Sequence, residues 1–528
     1  MHTGKMTLVF FTLALAATVR AQSINQSVEV NNDFESVMRE VRKLGVDMSV
    51  PDSLLSFDYN FDYSVFDSPY KGAYEFSPYT IQITPEASRY DGRKLFLRAG
   101  AGFFLHPELN AVYAPGMGKN SAGSIYARGG GYVQGDGHDL SGDLGFENRW
   151  VLPNSVAEVG GSYRGVFTED AHGSINYSSI GLNAGIRSLS SGSYFYYDVN
   201  FDFRFGDENF FQMGSQKENI LRLNGTVGPV IKNQYRVFVD FDLRQVFSSG
   251  FHKASSSFVS LYPHLSFLLG PVILNAGARM DYAGDLIFSP AAEASVKVFK
   301  KTSTLFAGVT GGLNMKTVYD YKMSNHRFNT YWMFNPGMDE FSGFQFVERE
   351  KINFYGGLNG HLGNFFQYAV RGGYSLKGNS PLESISRTVP VYSFVNYGMI
   401  YGNAVLSVES ERVSLSAGAE IRKTFLPAGA VCFAPAWCVG NLEFSYNWNK
   451  RFWAGCSIDL SASRAAMGME GVGSVPSFVD LGLNAEYKIN SRWGVWVKGG
   501  NLLGKNIQRV PGYVEKGPYF TLGITLSL

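Results

Sequence analysis

Strict alternation of apolar and polar residues is the main pattern in this chain. The stretch "GPYFTLGITLSL" (517–528) has one wholly apolar face, which consists of Phe520, Leu522, Ile524, Leu526 and Leu528. A period of two predicts a β-strand, because successive side chains in a strand point to opposite faces. Segments 479–489, 235–244 and 413–421 show the same alternation. The chain is therefore expected to be built mainly from strands.

The strands have features typical of a membrane-crossing barrel. The alternating segments often reach about 11 to 15 residues, the length that a tilted membrane-spanning strand requires. Their polar face includes Asp, Glu, Arg and Asn, as a wet lumen would, and aromatic residues cluster at segment ends (Tyr446, Trp448, Phe452, Trp453). A soluble β-sandwich also alternates and is the alternative. We predict an all-β fold, a transmembrane antiparallel β-barrel.

Turn chemistry indicates how the strands are connected. The stretches "YNWNKRFW" (446–453) and "YKINSRWG" (487–494) are near-copies with an Asn at the reversal, which is typical of tight hairpins. Further tight turns are predicted at 230–236, 298–304 and 361–367, and longer polar links at 316–350, 378–391, 426–438, 464–476 and 504–516. Short turns on one rim and long loops on the other are the asymmetry of outer-membrane barrels, and about 22 strands fit between Leu95 and Leu528.

The N-terminus resembles a cleaved secretory signal. Lys5 precedes an apolar run from Met6 to Val19, and Val19-Arg20-Ala21 places small residues where a signal peptidase cleaves. An uncleaved membrane anchor is the alternative. We expect a signal peptide at 1–21, a periplasmic or lumen-associated segment at 22–94 and an outer-membrane barrel at 95–528. No other apolar run is long enough to form a transmembrane helix.

Composition supports this assignment and excludes several functions. Charged residues make up 17% of the chain, aromatic residues 15%, and the formal net charge is +1. A near-neutral balance gives no reason to expect a nucleic-acid partner. Three cysteines are too few for a disulfide scaffold, and no cofactor motif is present.

The C-terminal third resembles a known family. "VDLGLNAEYKINSRWGVWVKGGNLLGKNIQ", followed by "PGYVEKGPYFTLGITLSL", is similar to the end of TonB-dependent receptor barrels, where an Asn-Leu-Leu stretch (here Asn501, Leu502 and Leu503) precedes the last outer loop. "VPDSLLSFDYNFDYSVFDSPYKGAYEFSPY" and "GRKLFLRAGAGFFLHPEL" resemble a Bacteroidota group of that family. The resemblance implies an outer-membrane barrel that mediates solute transport.

One departure from that family affects the expected function. Receptors of this kind have a large N-terminal plug, whereas the sequence before Leu95 shows no plug-like run of strands. Three functions therefore stay open. The first is solute transport, with a plug supplied by another chain and with an energy-transducing periplasmic protein as a candidate partner. The second is a structural partner of surface lipoproteins or of the barrel-assembly core. The third is an open, porin-like channel in the lipid bilayer.

An aromatic and acidic stretch precedes the barrel. Within "FDYNFDY" (57–63), one face consists of Phe57, Tyr59, Phe61 and Tyr63, and the other includes Asp58 and Asp62. An ordinary strand is one interpretation. The other is a segment that lines the lumen or docks a partner by strand addition. A calcium loop does not fit, because Tyr63 and Pro69 stand where Gly and Glu are needed.

Other candidate sites lie in the outer loops. Tyr331, Trp332 and Phe334 could stack on a sugar ring or contact a protein, or they could fold into the barrel mouth. Cys432 and Cys438 flank "FAPAW" and could form a disulfide in an oxidising compartment.

An outer-membrane hydrolase is the enzymatic alternative. His138-Asp139 and His172-Gly173-Ser174 are the only suggestive pairings, and the scattered histidines form no recognisable triad or metal spacing. The sequence therefore predicts a protein that is not an enzyme.

Overall fold

The computed structural model describes residues 94–528, apart from positions 104, 116, 117, 119, 135, 136, 171, 172, 190–194, 211–213, 232–234, 251, 252, 300, 301, 329, 331–345, 387, 388, 470 and 516. The predicted signal peptide and the stretch 57–63 lie outside the described residues.

Twenty-two strands form the barrel wall. They are β1 (Leu95–Gly102), β2 (Glu108–Tyr113), β3 (Ser121–Gln134), β4 (Gly137–Val151), β5 (Ser155–Asp170), β6 (Gly173–Ser188), β7 (Phe195–Phe210), β8 (Gly214–Ile231), β9 (Tyr235–Gly250), β10 (Ala254–Leu269), β11 (Val272–Tyr282), β12 (Leu286–Val298), β13 (Ser303–Lys316), β14 (Phe346–Leu362), β15 (Phe366–Ser386), β16 (Val389–Glu409), β17 (Val413–Phe425), β19 (Cys438–Trp448), β20 (Phe452–Ser461), β22 (Phe478–Lys488), β23 (Trp493–Gly500) and β24 (Tyr519–Ser527).

Three further elements of the described chain lie in loops. The helix α1 (Val318–Ser324) follows β13, and the two short strands β18 (Cys432–Phe433) and β21 (Ala466–Met467) pair with each other. No helix in the described part of the chain is both long and apolar enough to cross a membrane.

The sheet closes on itself. Neighbouring wall strands pair antiparallel around the barrel, and β1 pairs with β24 from Phe96↔Ser527 to Gly102↔Thr521. Leu528 extends this junction, since Leu95 N donates to Leu528 O at 2.9 Å and Leu528 N donates to Leu95 O at 2.8 Å. The predicted antiparallel barrel of about 22 strands is therefore confirmed.

The barrel is apolar on the outside and polar within. On β24, Phe520, Leu522 and Ile524 are 55%, 66% and 46% exposed, whereas Thr521 and Thr525 are only 2% and 6% exposed. A strand of a soluble sandwich would bury the apolar face instead. Because the sheet is closed, every wall strand has a hydrogen-bonded neighbour on both sides. Backbone N–H and C=O groups need such partners in the hydrocarbon region of a membrane, where water is absent. The soluble-sandwich alternative is therefore wrong.

Tight turns lie on the rim where β1 begins and β24 ends. The predicted reversal at 446–453 falls between Trp448 and Phe452, where Asn449 and Lys450 adopt φ values of 52° and 59°. The other four predicted tight turns also connect consecutive strands on this rim. The opposite rim, which we name the outer rim, bears the long loops 317–345, 426–437, 462–477 and 501–518.

One predicted loop is wrong. Residues 378–391 were expected to form a long outer link, but β15 runs to Ser386 and β16 begins at Val389. The chain passes the turn-like sequence Gly378-Asn379-Ser380-Pro381 through a register shift between Lys377 and Ser380. Asn379 takes a φ of 50° there, so the turn residues form a bulge rather than a reversal.

Candidate functional site: an inward loop across the barrel mouth

The loop after β13 folds into the barrel instead of projecting from the outer rim. Its described part, residues 317–328 and 330, is named the inward loop. The departure begins at Gly311 and Gly312, where the register of β13 on β14 shifts. Beyond Val309, β13 has no ladder with β12, although its pairing with β14 continues to Lys316. The outer end of β13 therefore leaves the wall.

Wall side chains hold the displaced end of β13 by its backbone. Asp281 accepts a hydrogen bond from Leu313 N at 2.6 Å, and Arg279 donates to Leu313 O at 2.7 Å. Arg244 donates to Met315 O at 2.7 Å. These contacts replace the lost ladder, which matters because an unpaired buried backbone group costs about 1–3 kcal/mol. The apolar side chains Leu313 and Met315 pack in a cluster with Val246 and Phe258.

A short helix caps its own start and receives a carboxylate from the wall. Thr317 and Asp320 form a reciprocal capping box at the N-terminus of α1. Glu218 of β8 then accepts hydrogen bonds from Val318 N at 3.1 Å and Tyr319 N at 3.4 Å. A carboxylate fits this end of a helix, where backbone N–H groups lack partners. The contact fixes α1 against the wall.

A buried ion pair joins the helix to β7. Lys322 Nζ lies 2.5 Å from Glu208 Oε1, and the two side chains are 0% and 1% exposed. Lys322 also donates to Phe328 O, and Thr330 donates to Glu208. Burial lowers the pKa of the Lys322 ammonium, while the charge of Glu208 acts in the opposite direction. Sequence analysis missed this pair, because it links a loop to a strand far away in the chain.

Apolar packing surrounds the ion pair. Val318, Tyr321 and Phe328 of the inward loop form one buried cluster with Val166 of β5 and Tyr177 of β6. Tyr392 of β16 closes the other side, with ring centroids 4.7 Å from Tyr321 and 5.3 Å from Phe328. The inward loop thus contacts walls on both sides of the mouth.

The end of the inward loop reaches the first strands and the last outer loop. His326 Nδ1 lies 3.2 Å from Asp139 Oδ1 of β4. Arg327 donates to the Tyr132 hydroxyl of β3 at 3.2 Å, and its guanidinium lies 3.5 Å from the ring centroid of Tyr513. The inward loop therefore spans the outer opening of the lumen.

The last outer loop, residues 501–518, is held by an arginine. Arg509 bonds Asp480 at 2.7 Å and Asp459 at 3.3 Å, and it also bonds Glu515. Burial raises the pKa of the Glu515 carboxyl, an effect that Arg509 partly offsets. These residues border a polar cavity of about 280 Å³, and Lys498 and Tyr519 extend into a second cavity of about 290 Å³.

The structure describes only some of the candidate site residues that the sequence predicts. Tyr331, Trp332 and Phe334 lie outside the described residues, as do residues 57–63 and His172. His138 Nδ1 lies 3.3 Å from Glu169. Among the described residues, no group of three His, Cys, Asp or Glu side chains is arranged to hold a metal ion.

The structure does not join Cys432 and Cys438, whose thiols are both free and buried. Cys432 belongs to β18, which pairs with β21, whereas Cys438 begins β19 and pairs with Ile421 of β17. Each cysteine is thus fixed in a different ladder. Arg464 of the neighbouring loop bonds Glu383 at 2.5 Å and ties this part of the rim to β15.

Solved structures share this fold. The siderophore receptor PiuA from Acinetobacter baumannii is 10% identical with a TM-score of 0.62, over 83% of this chain and 82% of that one. A mutant of the ferric enterobactin receptor PfeA from Pseudomonas aeruginosa gives 10% identity, a TM-score of 0.58 and coverage of 83% and 80%. The copper transporter OprC is 12% identical with a TM-score of 0.60, over 83% of this chain and 80% of that one. The sequence matches no protein-family model and no curated protein.

Proposed function

We propose that this protein is a receptor-like transport barrel of the outer membrane, in which the inward loop gates solute passage. The observation behind this proposal is the buried Lys322–Glu208 pair, which holds a loop across the mouth of a wide polar lumen. The fold shared with siderophore receptors and a copper transporter supports the same role. A static wall would not need a buried ion pair, because well-packed apolar residues are often at least as stable.

A reversible lock tests the gate. His326→Cys and Asp139→Cys replace two side chains that lie 3.2 Å apart, in a background where Cys432, Cys438 and Cys456 are serine. A short bis-methanethiosulfonate reagent joins the two thiols, and dithiothreitol removes it. Glu208→Gln is added to weaken the buried ion pair, so that the loop can open without an energy source. In planar bilayers we expect the cross-linked protein to conduct KCl poorly and to recover after dithiothreitol. The matched control is Gln245→Cys with Ser257→Cys, a directly paired position on two neighbouring wall strands. Equal conductance before and after dithiothreitol would contradict gating.

The energy for opening would come from a periplasmic protein, and residues 22–94 would supply the contact. Within this segment we propose that Phe57, Tyr59, Phe61 and Tyr63 provide an apolar face and Asp58 and Asp62 a polar one, in the lumen or against the partner. Deleting residues 57–63 should abolish solute uptake by cells. The deletion variant must still migrate as a heat-modifiable barrel in gels, since loss of the barrel would make the result uninformative about docking.

A structural partner of surface lipoproteins or of the barrel-assembly core is the second candidate. The observation that favours it is apolar exposure on outer loops, where Trp437 and Val431 are 59% and 46% exposed. Exposed aromatic side chains are enriched at protein interfaces. Affinity purification of the tagged protein from outer membranes tests this candidate. Loss of a co-purifying lipoprotein in Trp437→Ser would support it, and recovery of the barrel alone would count against it.

A further inference from the structure

We propose that Arg371 forms a binding site in the lumen wall for a small carboxylate that has a neighbouring hydroxyl or ammonium group. The inference deepens the transport function proposed above by naming a class of solute. Arg371 lies on the lumen face of β15 and is 6% exposed. Its guanidinium lies 4.0 Å from the ring centroid of Tyr355 on β14.

One edge of the Arg371 guanidinium consists of the Nε and Nη2 atoms. Both atoms are buried, and neither has a hydrogen-bond partner among the residues that the structure describes. A buried donor without a partner costs about 1–3 kcal/mol, and more when it is charged. A site that tolerates this cost in the absence of a ligand is well suited to a ligand that removes it.

The geometry of this edge selects the ligand. Nε and Nη2 point in the same direction as a fork that matches the two oxygens of a carboxylate. The same barrel contains an occupied example on β8, where Arg222 donates from Nε to Asp242 Oδ1 and from Nη2 to Asp242 Oδ2, both at 3.0 Å. Arg371 presents the same pair of donors, Nε and Nη2, but no carboxylate of the described residues bonds to them.

A second polar atom limits the chemical class of the ligand further. Asn403 of β16 is paired directly with Arg371 across the ladder, and its buried Oδ1 also lacks a hydrogen-bond partner in the described part of the chain. Directly opposed residues of an antiparallel pair have Cβ atoms about 4.5–5.5 Å apart. The pairing therefore places the Asn403 amide and the Arg371 side chain on the same face of the wall, where one small ligand could contact both. An α-hydroxy or α-amino carboxylate presents the complementary groups.

The polar residues beside Arg371 have partners of their own. Glu293 feels the charge of Arg371, but its carboxylate accepts its hydrogen bond from the Tyr355 hydroxyl, at 2.9 Å. Tyr401 donates to Asn353 Oδ1 at 3.0 Å. Since the Nε and Nη2 atoms of Arg371 bond to none of the described residues, they can turn towards a ligand without breaking a hydrogen bond.

Ligand-induced thermal shifts of the full chain in detergent test the site without relying on gating. Sodium lactate and sodium propionate are the probes, because they differ by one hydroxyl, and sodium chloride controls for ionic strength. We expect lactate to bind about three- to tenfold more tightly than propionate. Arg371→Gln should weaken both by roughly tenfold or more, and Arg371→Lys should weaken both because an ammonium lacks the fork. Asn403→Leu should remove only the preference for lactate.

A matched variant completes the test. Arg222→Gln, whose guanidinium is already occupied by Asp242, should keep the full response to lactate. The proposal is overturned if neither probe shifts the melting temperature of the unmodified protein, or if lactate binds Arg371→Gln as tightly as it binds the unmodified protein.

Discussion

Lys322 of the inward helix and Glu208 of the barrel wall lie 2.5 Å apart and are almost completely shielded from water. Such a pair is expensive to bury and more expensive to break, because removing one partner leaves an uncompensated charge. The energy of the pair therefore depends on whether the helix is seated. This property makes it suitable as a latch.

Removing one charge of this latch should destabilise the closed mouth. We expect Glu208→Gln to cost about 3–5 kcal/mol and the double variant Glu208→Leu/Lys322→Met to recover most of that loss. The measurement is thermal unfolding in detergent, together with conductance in bilayers. The matched control is Arg149→Gln, which breaks a surface pair of 3.3 Å whose side chains are about half exposed. That change should cost less than about 1 kcal/mol. Equal costs for the two pairs would contradict the latch.

The bulge that turns β13 inward should depend on Gly312. This residue has a φ of 143°, and a Cβ there would lie 2.7 Å from Asp281 Oδ2 and 2.8 Å from Arg279 Nε. Gly312→Ala should therefore disturb both groups that hold Leu313, at a cost of about 1–3 kcal/mol. We expect faster proteolysis of the inward loop and a higher conductance. Gly402→Ala is the control, since a Cβ at Gly402 meets no atom of the described residues within 4 Å.

The last outer loop should be more stable in mild acid than at neutral pH. Because burial raises the pKa of Glu515 above its usual 4.5 despite the opposing charge of Arg509, the folded loop binds this proton more tightly than the unfolded chain does. The stabilisation is complete below pH 4.5 and is lost as the pH rises through the raised pKa. Proteolysis of loop 501–518 between pH 4 and 7 measures it. Glu515→Gln should remove this component, and an unchanged pH profile would contradict the assignment.

Trp496 should be essential for closing the barrel. Its side chain is 2% exposed, lies 4.4 Å below the guanidinium of Arg98, and fills the space above Gly100 and Gly523 at the β1–β24 junction. Trp496→Ala should cost about 3–5 kcal/mol, as for other large buried side chains. Heat modifiability in gels measures the loss. Trp448→Ala, at a position that is 63% exposed on the outer surface, should have a much smaller effect.

Local patterns were sufficient to predict the wall. On β22 and β24 the side chains alternate without interruption, so strand identity and the outward face follow from the residues alone. The predicted loop around Asn379 was wrong for a physical reason, because a β-bulge and a chain reversal use the same residue types. Only the pairing of β16 with β15 distinguishes them, and that contact is not local.

The inward loop was harder to predict because its partners come from distant strands. The capping sequence Thr317-Val318-Tyr319-Asp320 is a local signal that could have revealed α1. No local signal shows that Lys322 meets Glu208, or that Glu218 meets the start of the helix. Both acids lie on the polar face of ordinary alternating strands, where the sequence predicts contact with water. Arg371 was overlooked for the same reason.

The pairing of β1 with β24 also limits when the wall can be completed. Leu528 exchanges two hydrogen bonds with Leu95, so this seam closes only when residues from opposite ends of the wall sequence meet. A wall in which the seam is open keeps two unpaired sheet edges, which hydrocarbon does not tolerate and which other chains can join. Formation of the seam is therefore the step after which the sheet no longer offers an edge for aggregation.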